Sequence, residues 1–347
     1  MSLEARIIER HISDFLDSEI SATMTDPLTR EVMEAIKEFT LRGGKRVRAI
    51  LLIKGYQAVG GEDIERIRRA SISMELIQTM LLIHDDIIDR SPERRGSPSF
   101  HEFFRGMFED RGYDGDGARF GESMGIIAGD LAETLAEKSL IRSGFPESLV
   151  QNALLSQTDM IRDTGFGQIM DIYSGVLPDW GEENVMKVHE YKTARYTFDG
   201  PLHIGAVLNE ASGEQLKALS GYAIPAGIAF QLVDDILGFF GDPARGGPSD
   251  LSDIKEGKRT LLIIKAMELA DPADRKEIES ALGNPNISPE AAEVVRDIVR
   301  RCGSERYSRD LALNLHEQAI GSLEGGDLEG GSVEFLAGFS DYLLNRI

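Results

Sequence analysis

The chain has 347 residues, of which 41% are hydrophobic and 28% charged, and its 59 acidic and 38 basic residues give a formal net charge of -21. That composition is typical of a globular protein, and the acidic balance argues against a nucleic-acid-binding protein. A single cysteine, Cys302, excludes an internal disulfide and a multi-cysteine metal site. Because the start has no apolar signal core and no uninterrupted apolar stretch reaches about 18 residues, we expect a cytoplasmic protein without a membrane span.

Helical periodicity dominates the chain. Apolar residues recur at three- and four-residue spacing, which predicts helices, in segments 3–16, 64–89, 212–240 and 289–302. No sustained period-two alternation between hairpin turns predicts a sheet. Segments rich in Gly, Pro, Ser and Asp predict long loops at 91–99, 105–121 and 241–258, and "LEGGDLEGGS" (323–332) predicts a turn before a last helix. Since none of these loops divides the composition, we expect one all-α domain over 1–347.

The first group of charges is basic. "RGGKRVRAILLI" (42–53) places two glycines before a predicted helix and Lys45, Arg46 and Arg48 in its first turn. Positive charge at a helix N-terminus, added to free backbone N–H groups, favours an anion such as phosphate. The alternative is a solvated basic face. Arg94 and Arg95, in the loop after the next helix, would alone be an ordinary surface pair.

The second group is acidic. In "LLIHDDIID" (81–89), Asp85 and Asp89 are spaced one helical turn apart and point the same way. Like charges at that spacing are destabilising unless a cation neutralises them, and Mg²⁺ characteristically combines one or two carboxylates with substrate phosphates. The alternative is a solvated helix end. His84 is interpreted as a core or hydrogen-bonding residue and is left out of the site.

"FQLVDDILG" (230–238) resembles 81–89, because each is an apolar helical run that ends in paired aspartates. We expect the helix ends with Asp85 and Asp234 to face each other across one cavity. Metal ions between them, with basic residues around and apolar helices beneath, would suit a ligand with a diphosphate head and a long apolar tail. Lys192-Thr193 and Lys258 are weak signals individually.

At this point the chain resembles the trans-isoprenyl diphosphate synthases, polyprenyl synthetases of the farnesyl/geranylgeranyl type. The resemblance runs from about residue 40 to 265 and more loosely to the end. It depends on the order and spacing of several motifs: "GGKRVR" (43–48), Gln78, "DDIID" (85–89), "RRG" (94–96), "GD" (129–130), "KT" (192–193), "FQLVDD" (230–235) and "SDIKEGKRT" (252–260).

The resemblance implies the isoprenoid synthase fold, a large all-α bundle around a deep central cavity, usually in a homodimer. It implies a Mg²⁺-dependent prenyltransferase that condenses isopentenyl diphosphate with an allylic diphosphate to give a longer trans-prenyl diphosphate. By position, Asp85, Asp89 and Asp234 would hold Mg²⁺, three ions per site, and Asp86 and Asp235 join them as catalytic residues. The remaining roles are contacts to the allylic diphosphate (Arg94, Lys192, Lys258), contacts to isopentenyl diphosphate (Lys45, Arg48, Gln78, Arg95) and flanking of the allylic cation (Thr193, Gln231).

Two departures from the family pattern bear on activity. Gly238 stands where many members carry a third aspartate. Counted forward from Asp242, the family's diphosphate-binding lysine falls at Pro248, with Arg245 as the nearby cation. Product length should depend on the floor one turn before the first aspartates, formed here by Met80 and Leu81. Side chains of this intermediate size predict geranylgeranyl diphosphate as the product, with farnesylgeranyl diphosphate as the alternative.

Two alternatives stay open at this stage. A terpene cyclase shares the DDxxD helix and the fold, but it has no use for the second diphosphate site that "GGKRVR" and Arg95 would form. A non-catalytic partner subunit of a prenyl diphosphate synthase would tolerate Pro248, although the intact carboxylate pairs argue against it.

Overall fold

The computed structural model describes residues 3–23, 26–241 and 252–346, and within them the chain is built from α-helices. In chain order these are α1 (Leu3–Thr23), α2 (Pro27–Leu41), α3 (Val47–Ala58), α4 (Ile64–Ile88), α5 (Phe100–Asp110), α6 (Gly117–Ile141), α7 (Glu147–Ser174), α8 (Glu182–Val188), α9 (Gly200–Val207), α10 (Gly213–Phe240), α11 (Ser252–Lys255), α12 (Leu261–Leu269), α13 (Pro272–Ala281), α14 (Pro289–Arg301), α15 (Ser304–Ser322) and α16 (Gly330–Leu344). A π-helix (His189–Asp199) joins α8 to α9, and a 3₁₀ turn (Leu323–Gly325) follows α15. The predicted all-α fold is confirmed.

The helix ends coincide with local capping signals. Asp63 precedes α4 and its carboxylate accepts a hydrogen bond from Arg66 N at 3.0 Å. Ser212 and Gln215 form a reciprocal capping box at the start of α10. Such contacts satisfy backbone N–H groups that the first turn leaves open. Three of the four predicted helices, α4, α10 and α14, begin and end within one residue of their predicted bounds. The fourth, α1, begins as predicted but continues to Thr23.

The chain folds into two compact units, the first comprising Met1–Leu155 and Ile204–Glu210. Its centre is α4, which packs most extensively on α6 and also on α3. The close approach of α6 requires glycine: a Cβ at Gly129 would lie 2.1 Å from His84 Nε2, and one at Gly125 would lie 2.6 Å from Ile87 Cδ1. The end of α4 that carries the aspartates is thereby held against α6.

The second unit comprises Ser156–His203 and Ala211–Ile347. Its central helix is α10, which packs on the π-helix and on α15. Two buried apolar clusters surround this helix, one with α8, α12 and the π-helix and the other with α12, α13 and α14. Burial of this kind is the main stabilising term for a helix that is apolar on most faces.

The loop prediction is partly wrong for two of the three segments. Segment 105–121 is mostly helical, since α5 extends to Asp110 and α6 begins at Gly117; Phe108 packs on Phe120 with ring centroids 5.2 Å apart, which keeps the end of α5 folded. Segment 91–99 contains a short antiparallel hairpin, β1 (Glu93–Arg94) and β2 (Ser97–Pro98). In the third segment, residues 242–251 lie outside the described residues. The predicted turn before a last helix is confirmed.

Among the described helices, α10 has the length and apolar composition that could cross a membrane. The sequence analysis did not predict such a helix. Half of the apolar window is buried inside the protein. The core position of α10 in its unit accounts for that composition.

Candidate functional site

The first aspartates lie at the end of α4. Asp85 is half-buried and Asp89 is exposed, and the Asp89 backbone N–H donates to Asp85 O at 2.8 Å to close the last turn. The helical turn that joins them keeps the spacing from which the carboxylates are predicted to lie on one side of the helix end. His84 Nε2 lies 3.1 Å from Ile126 O, which confirms its interpretation as a hydrogen-bonding residue.

Asp86 is directed into the protein. Its side chain is fully buried, and Oδ1 accepts hydrogen bonds from Arg94 Nε, at 2.8 Å, and from Arg94 Nη2. Burial raises the pKa of Asp86, although Arg94 acts in the opposite direction. Burial also opposes the charged form of Arg94, but the hydrogen bonds to Asp86 outweigh it and raise the pKa of Arg94. Asp86 thus holds in place the arginine that the family resemblance assigns to the allylic diphosphate.

The basic segment differs from its prediction in one respect. Because α3 begins at Val47, only Arg48 of the three cations lies in its first turn, and Lys45 is exposed before it. Arg46 adopts a left-handed backbone, with φ of 54°, and is buried. It donates to Glu75 Oε2 at 3.0 Å and to Glu9 Oε1, so it stabilises the packing of α3.

Arg95 lies against the two glycines that precede Lys45. Its Nη1 donates to Gly43 O at 2.5 Å, and a Cβ at Gly44, whose φ is 123°, would lie 3.3 Å from its guanidinium. Desolvation of that guanidinium is the main cause that lowers the pKa of Arg95, and repulsion from Arg46 is the second. Arg48 and Arg94 also repel it. An anion at this loop would relieve the repulsion.

The other unit 1 residues of the predicted site lie along α4. Gln78 is half-buried seven residues before Asp85, two turns along nearly the same face. Met80 is buried and Leu81 half-buried, one turn before the aspartates.

The second unit contains a cavity of about 310 Å³. All the residues that the sequence assigned in this unit line it, namely Lys192, Thr193, Gln231, Asp234, Asp235 and Lys258. Motifs that are weak individually are thus brought to one place by the fold.

Lys192 and Thr193 are carried by the π-helix, a rare form that is often found at functional sites. The neighbouring helices approach it closely. A Cβ at Gly167 of α7 would lie 2.3 Å from Lys192 N, and one at Gly227 of α10 would lie 2.5 Å from Ala194 Cα. Only glycine permits this approach, which holds both residues at the cavity wall.

Side chains of the π-helix and α10 form a hydrogen-bonded chain. Thr193 Oγ1 donates to Gln231 Oε1 at 2.8 Å, and Gln231 Nε2 donates to Asp235 Oδ1 at 2.7 Å. His189 Nε2 lies 3.2 Å from the other oxygen of Asp235. The predicted residues therefore contact one another, and His189 joins them.

Three further residues of this cavity region were missed by the sequence analysis: His189, Asp171 and Arg346. Lys192 Nζ donates to Asp171 Oδ2 at 2.6 Å, and Arg346 Nη1 donates to Asp234 Oδ1 at 2.6 Å. Of the three, only Asp171 has a recognisable feature nearby in the sequence, because it lies one helical turn after Gly167. Lys258 lies 3.1 Å from Glu256. The departures at Asp242, Arg245 and Pro248 lie outside the described residues.

The donor atoms suit a hard cation that completes its shell with ligand oxygens. Asp85, Asp89 and Asp234 all offer carboxylate oxygens and retain access to solvent. Within the described ranges, no group of three or more His, Cys, Asp or Glu side chains could hold a metal by itself. Mg²⁺ typically binds one or two carboxylates together with phosphate and water, so these residues fit it.

Comparison with known proteins gives one consistent result. The sequence model of the family described as Polyprenyl synthetase matches residues 29–300. The geranylgeranyl diphosphate synthase of Saccharolobus solfataricus is 33% identical over 81% of this chain and 80% of the relative, and that of Sulfolobus acidocaldarius is 32% identical over 96% of each. The crystal structure of geranylgeranyl pyrophosphate synthase from Corynebacterium glutamicum, complexed with isoprenyl diphosphate and magnesium, superposes with a TM-score of 0.92 at 33% identity over 100% of both chains. The chain belongs to the polyprenyl synthetase family and is a trans-prenyltransferase.

Proposed function

We propose that this enzyme condenses isopentenyl diphosphate with an allylic diphosphate in a Mg²⁺-dependent reaction and releases geranylgeranyl diphosphate. The observation that carries the proposal is the cavity that gathers Lys192, Thr193, Gln231, Asp234 and Asp235 in a chain similar over its length to geranylgeranyl diphosphate synthases. The relatives' names favour neither the terpene cyclase nor the partner subunit.

The binding roles follow from charge. Asp85, Asp89 and Asp234 would hold Mg²⁺, three ions in all, and the bound metal would neutralise diphosphate charge that a protein of net charge -21 would otherwise repel. Arg94, Lys192 and Lys258 contact the allylic diphosphate. Lys45, Arg48, Gln78 and Arg95 hold isopentenyl diphosphate, where the crowded charge at Arg95 favours an anion.

The reaction needs no protein nucleophile. The allylic C–O bond breaks and diphosphate leaves with the electron pair, so that positive charge develops on the allylic carbons. Thr193 Oγ1 and Gln231 present polar atoms to stabilise that charge. The isopentenyl double bond then attacks the cation to form the new C–C bond, and the proton lost goes to the released diphosphate. Exclusion of water protects the cation during this step.

The test of the function is direct. The purified protein is incubated with radiolabelled isopentenyl diphosphate and, in turn, dimethylallyl, geranyl and farnesyl diphosphate, with Mg²⁺ or with EDTA, and the products are separated by chromatography. We expect a twenty-carbon diphosphate with Mg²⁺ and no product with EDTA. Turnover of an allylic diphosphate alone would instead identify a cyclase, and no turnover with any primer would identify a partner subunit.

Product length is assigned to the floor at Met80 and Leu81. Met80 is buried on α4, one turn before Asp85. We expect Met80→Ala to lengthen the product and Met80→Phe to shorten it, since the substitutions deepen and fill the same space. Unchanged product length in both variants would refute this role.

The assembly and location are further parts of the proposal. On α6, Ile126, Ile127 and Leu131 are 42%, 58% and 37% exposed. An apolar stripe of this kind is typical of a subunit interface, which supports a homodimer. We further propose that each subunit is a single domain and that the enzyme acts in the cytoplasm. Light scattering of the purified protein would measure its oligomeric state.

A further inference from the structure

The hydrogen-bonded chain in the cavity has a defined direction. The amide NH₂ of Gln231 donates to the carboxylate oxygen Asp235 Oδ1, 2.7 Å away. This orientation leaves Gln231 Oε1 facing Thr193, whose hydroxyl must then donate its proton to it. The lone pairs of Thr193 Oγ1 remain for the cavity that the residue lines.

His189 lies at the Asp235 end of this hydrogen-bonded chain. It is only 5% exposed, and its Nε2 lies 3.2 Å from Asp235 Oδ2. That carboxylate oxygen is buried and makes no well-aligned hydrogen bond with any described residue, and His189 Nε2 lies close enough to supply one. His189 Nδ1 is likewise buried without a hydrogen-bond partner in the described part of the chain. Nε2 is therefore the atom of His189 that is placed to hold Asp235, through its Oδ2.

Helix geometry couples the two ends of the chain. His189 and Thr193 are four residues apart on the π-helix, and Gln231 and Asp235 are four residues apart on α10. Each pair spans about one turn, so the two helices meet in two side-chain contacts, His189 with Asp235 and Thr193 with Gln231. A change at the first contact is therefore transmitted to the second through Gln231.

We infer that His189 is a positioning residue that holds Asp235 and thereby keeps the lone pairs of Thr193 directed at the allylic cation. The inference rests on the proposed function. Without the imidazole, the Asp235 carboxylate is free to rotate and the Gln231 amide to flip. A flipped amide donates to Thr193 Oγ1, whose proton then points into the cavity and opposes positive charge there.

The experiment compares His189→Leu, His189→Gln, Asp235→Asn and the double variant His189→Leu/Asp235→Asn. His189→Leu removes the donor with little change in size, whereas the Gln Nε2 reaches about as far as the imidazole Nε2. We expect kcat to fall about 10- to 100-fold in His189→Leu, as for other residues that orient a catalytic group, with KM for both substrates within about threefold. His189→Gln should recover most of the loss.

The double variant separates positioning from structural damage. If His189 acts through Asp235, adding His189→Leu to Asp235→Asn should lower kcat by less than about threefold, because residues acting as a unit are not additive. His203→Leu is the matched control, since His203 lies in the same unit, contacts Leu216 O and Ser220, and does not line this cavity. Circular dichroism and thermal unfolding verify that each variant is folded.

The outcomes are distinct. Wild-type kcat in His189→Leu, full additivity in the double variant, or equal losses in His189→Leu and His189→Gln would each overturn the inference while the wild-type enzyme still makes product. A wild-type protein that makes no prenyl product would overturn the proposed function, and the inference with it.

Discussion

The two aspartate pairs, Asp85–Asp86 on α4 and Asp234–Asp235 on α10, are alike in sequence but differ in what holds their second member. In both pairs the first carboxylate retains access to solvent, whereas the second is largely enclosed by protein. Asp86 is bound by the guanidinium of Arg94. Asp235 is bound by the amide of Gln231 and approached by His189.

The difference indicates a division of roles within each pair. A carboxylate buried against a guanidinium forms a neutral pair, so Asp86 fixes a cation in place without adding net charge. Asp235 instead accepts a hydrogen bond from the uncharged amide of Gln231 and so orients that amide. The first pair thus holds Arg94, and the second holds Gln231; under the proposed function these would be a diphosphate-binding group and a group that flanks the allylic cation.

The largest expected effect comes from the first member of each pair. Asp85→Asn and Asp234→Asn should each lower kcat/KM by about 10³-fold or more, because loss of a metal ligand removes several kcal/mol of stabilisation of the leaving diphosphate. Steady-state kinetics over a range of Mg²⁺ concentrations measures the effect. Asp159→Asn, at an exposed position of α7, is the control and should retain wild-type activity. A loss of less than about tenfold in either variant would exclude that aspartate as a ligand.

Substitution of Asp86, the second member of the first pair, should affect the stability of the fold. Asp86→Ala leaves the half-buried guanidinium of Arg94 without its carboxylate, which should lower the free energy of unfolding by about 3 kcal/mol or more. Urea denaturation measures it. Adding Arg94→Met should restore part of that free energy, since no uncompensated charge then remains. If Asp86→Ala unfolds at the wild-type urea concentration, the pair has no structural role and the contrast with Asp235 fails.

The helices that carry both pairs could be predicted from sequence because their signals are local. The apolar spacing lies within α4 and α10 themselves, and the caps Asp63 and Ser212 immediately precede them. The predicted residues of the second unit also line one cavity, and the basic segment and Arg95 meet in the first unit.

The errors arise where distant residues decide the structure. Arg46 was placed in a helical turn, but an ion pair with Glu75, 29 residues away, holds it before the helix in a left-handed conformation. Arg346 contacts Asp234 from 112 residues away, and no local pattern marks it. His189 had no signal either, because its role depends on the packing of the π-helix against α10.

A smaller effect is expected at Asp234, the first member of the second pair, in the substrate-free protein. Arg346 Nη1 lies 2.6 Å from Asp234 Oδ1, and a metal ion would compete with it for that oxygen. Arg346→Ala should therefore tighten Mg²⁺ binding to the substrate-free protein, by up to about fivefold, since a partly exposed ion pair contributes at most about 1 kcal/mol. Isothermal titration calorimetry with Mg²⁺ alone measures it. Arg301→Ala, which removes an ion pair with Asp274 elsewhere in the unit, should bind Mg²⁺ like the wild type. Weaker binding in Arg346→Ala would contradict the competition.

The smallest effect comes from a carboxylate–arginine pair outside both sites, which serves as the reference for Asp86 and Arg94. Arg68 Nε and Nη2 donate to the two oxygens of Glu4 at 2.7 and 2.8 Å, at a partly exposed position between α1 and α4. The hydrogen bonds from Arg68 hold the pKa of Glu4 below its ordinary value of 4.5 despite partial burial. A lowered folded-state pKa stabilises the protein above the unfolded pKa, and that stabilisation is lost as pH falls through the folded pKa.

Glu4→Gln should therefore lower the free energy of unfolding by about 1 kcal/mol or less at pH 7, because solvent screens a partly exposed pair. The difference from the wild type should shrink as pH falls below 4.5, the ordinary pKa of Glu4, and vanish once Glu4 is protonated in the folded state as well. Urea denaturation at a series of pH values measures both. A loss at pH 7 as large as that of Asp86→Ala would mean that burial does not distinguish the two pairs, and the structural role assigned to Asp86 would then need another cause.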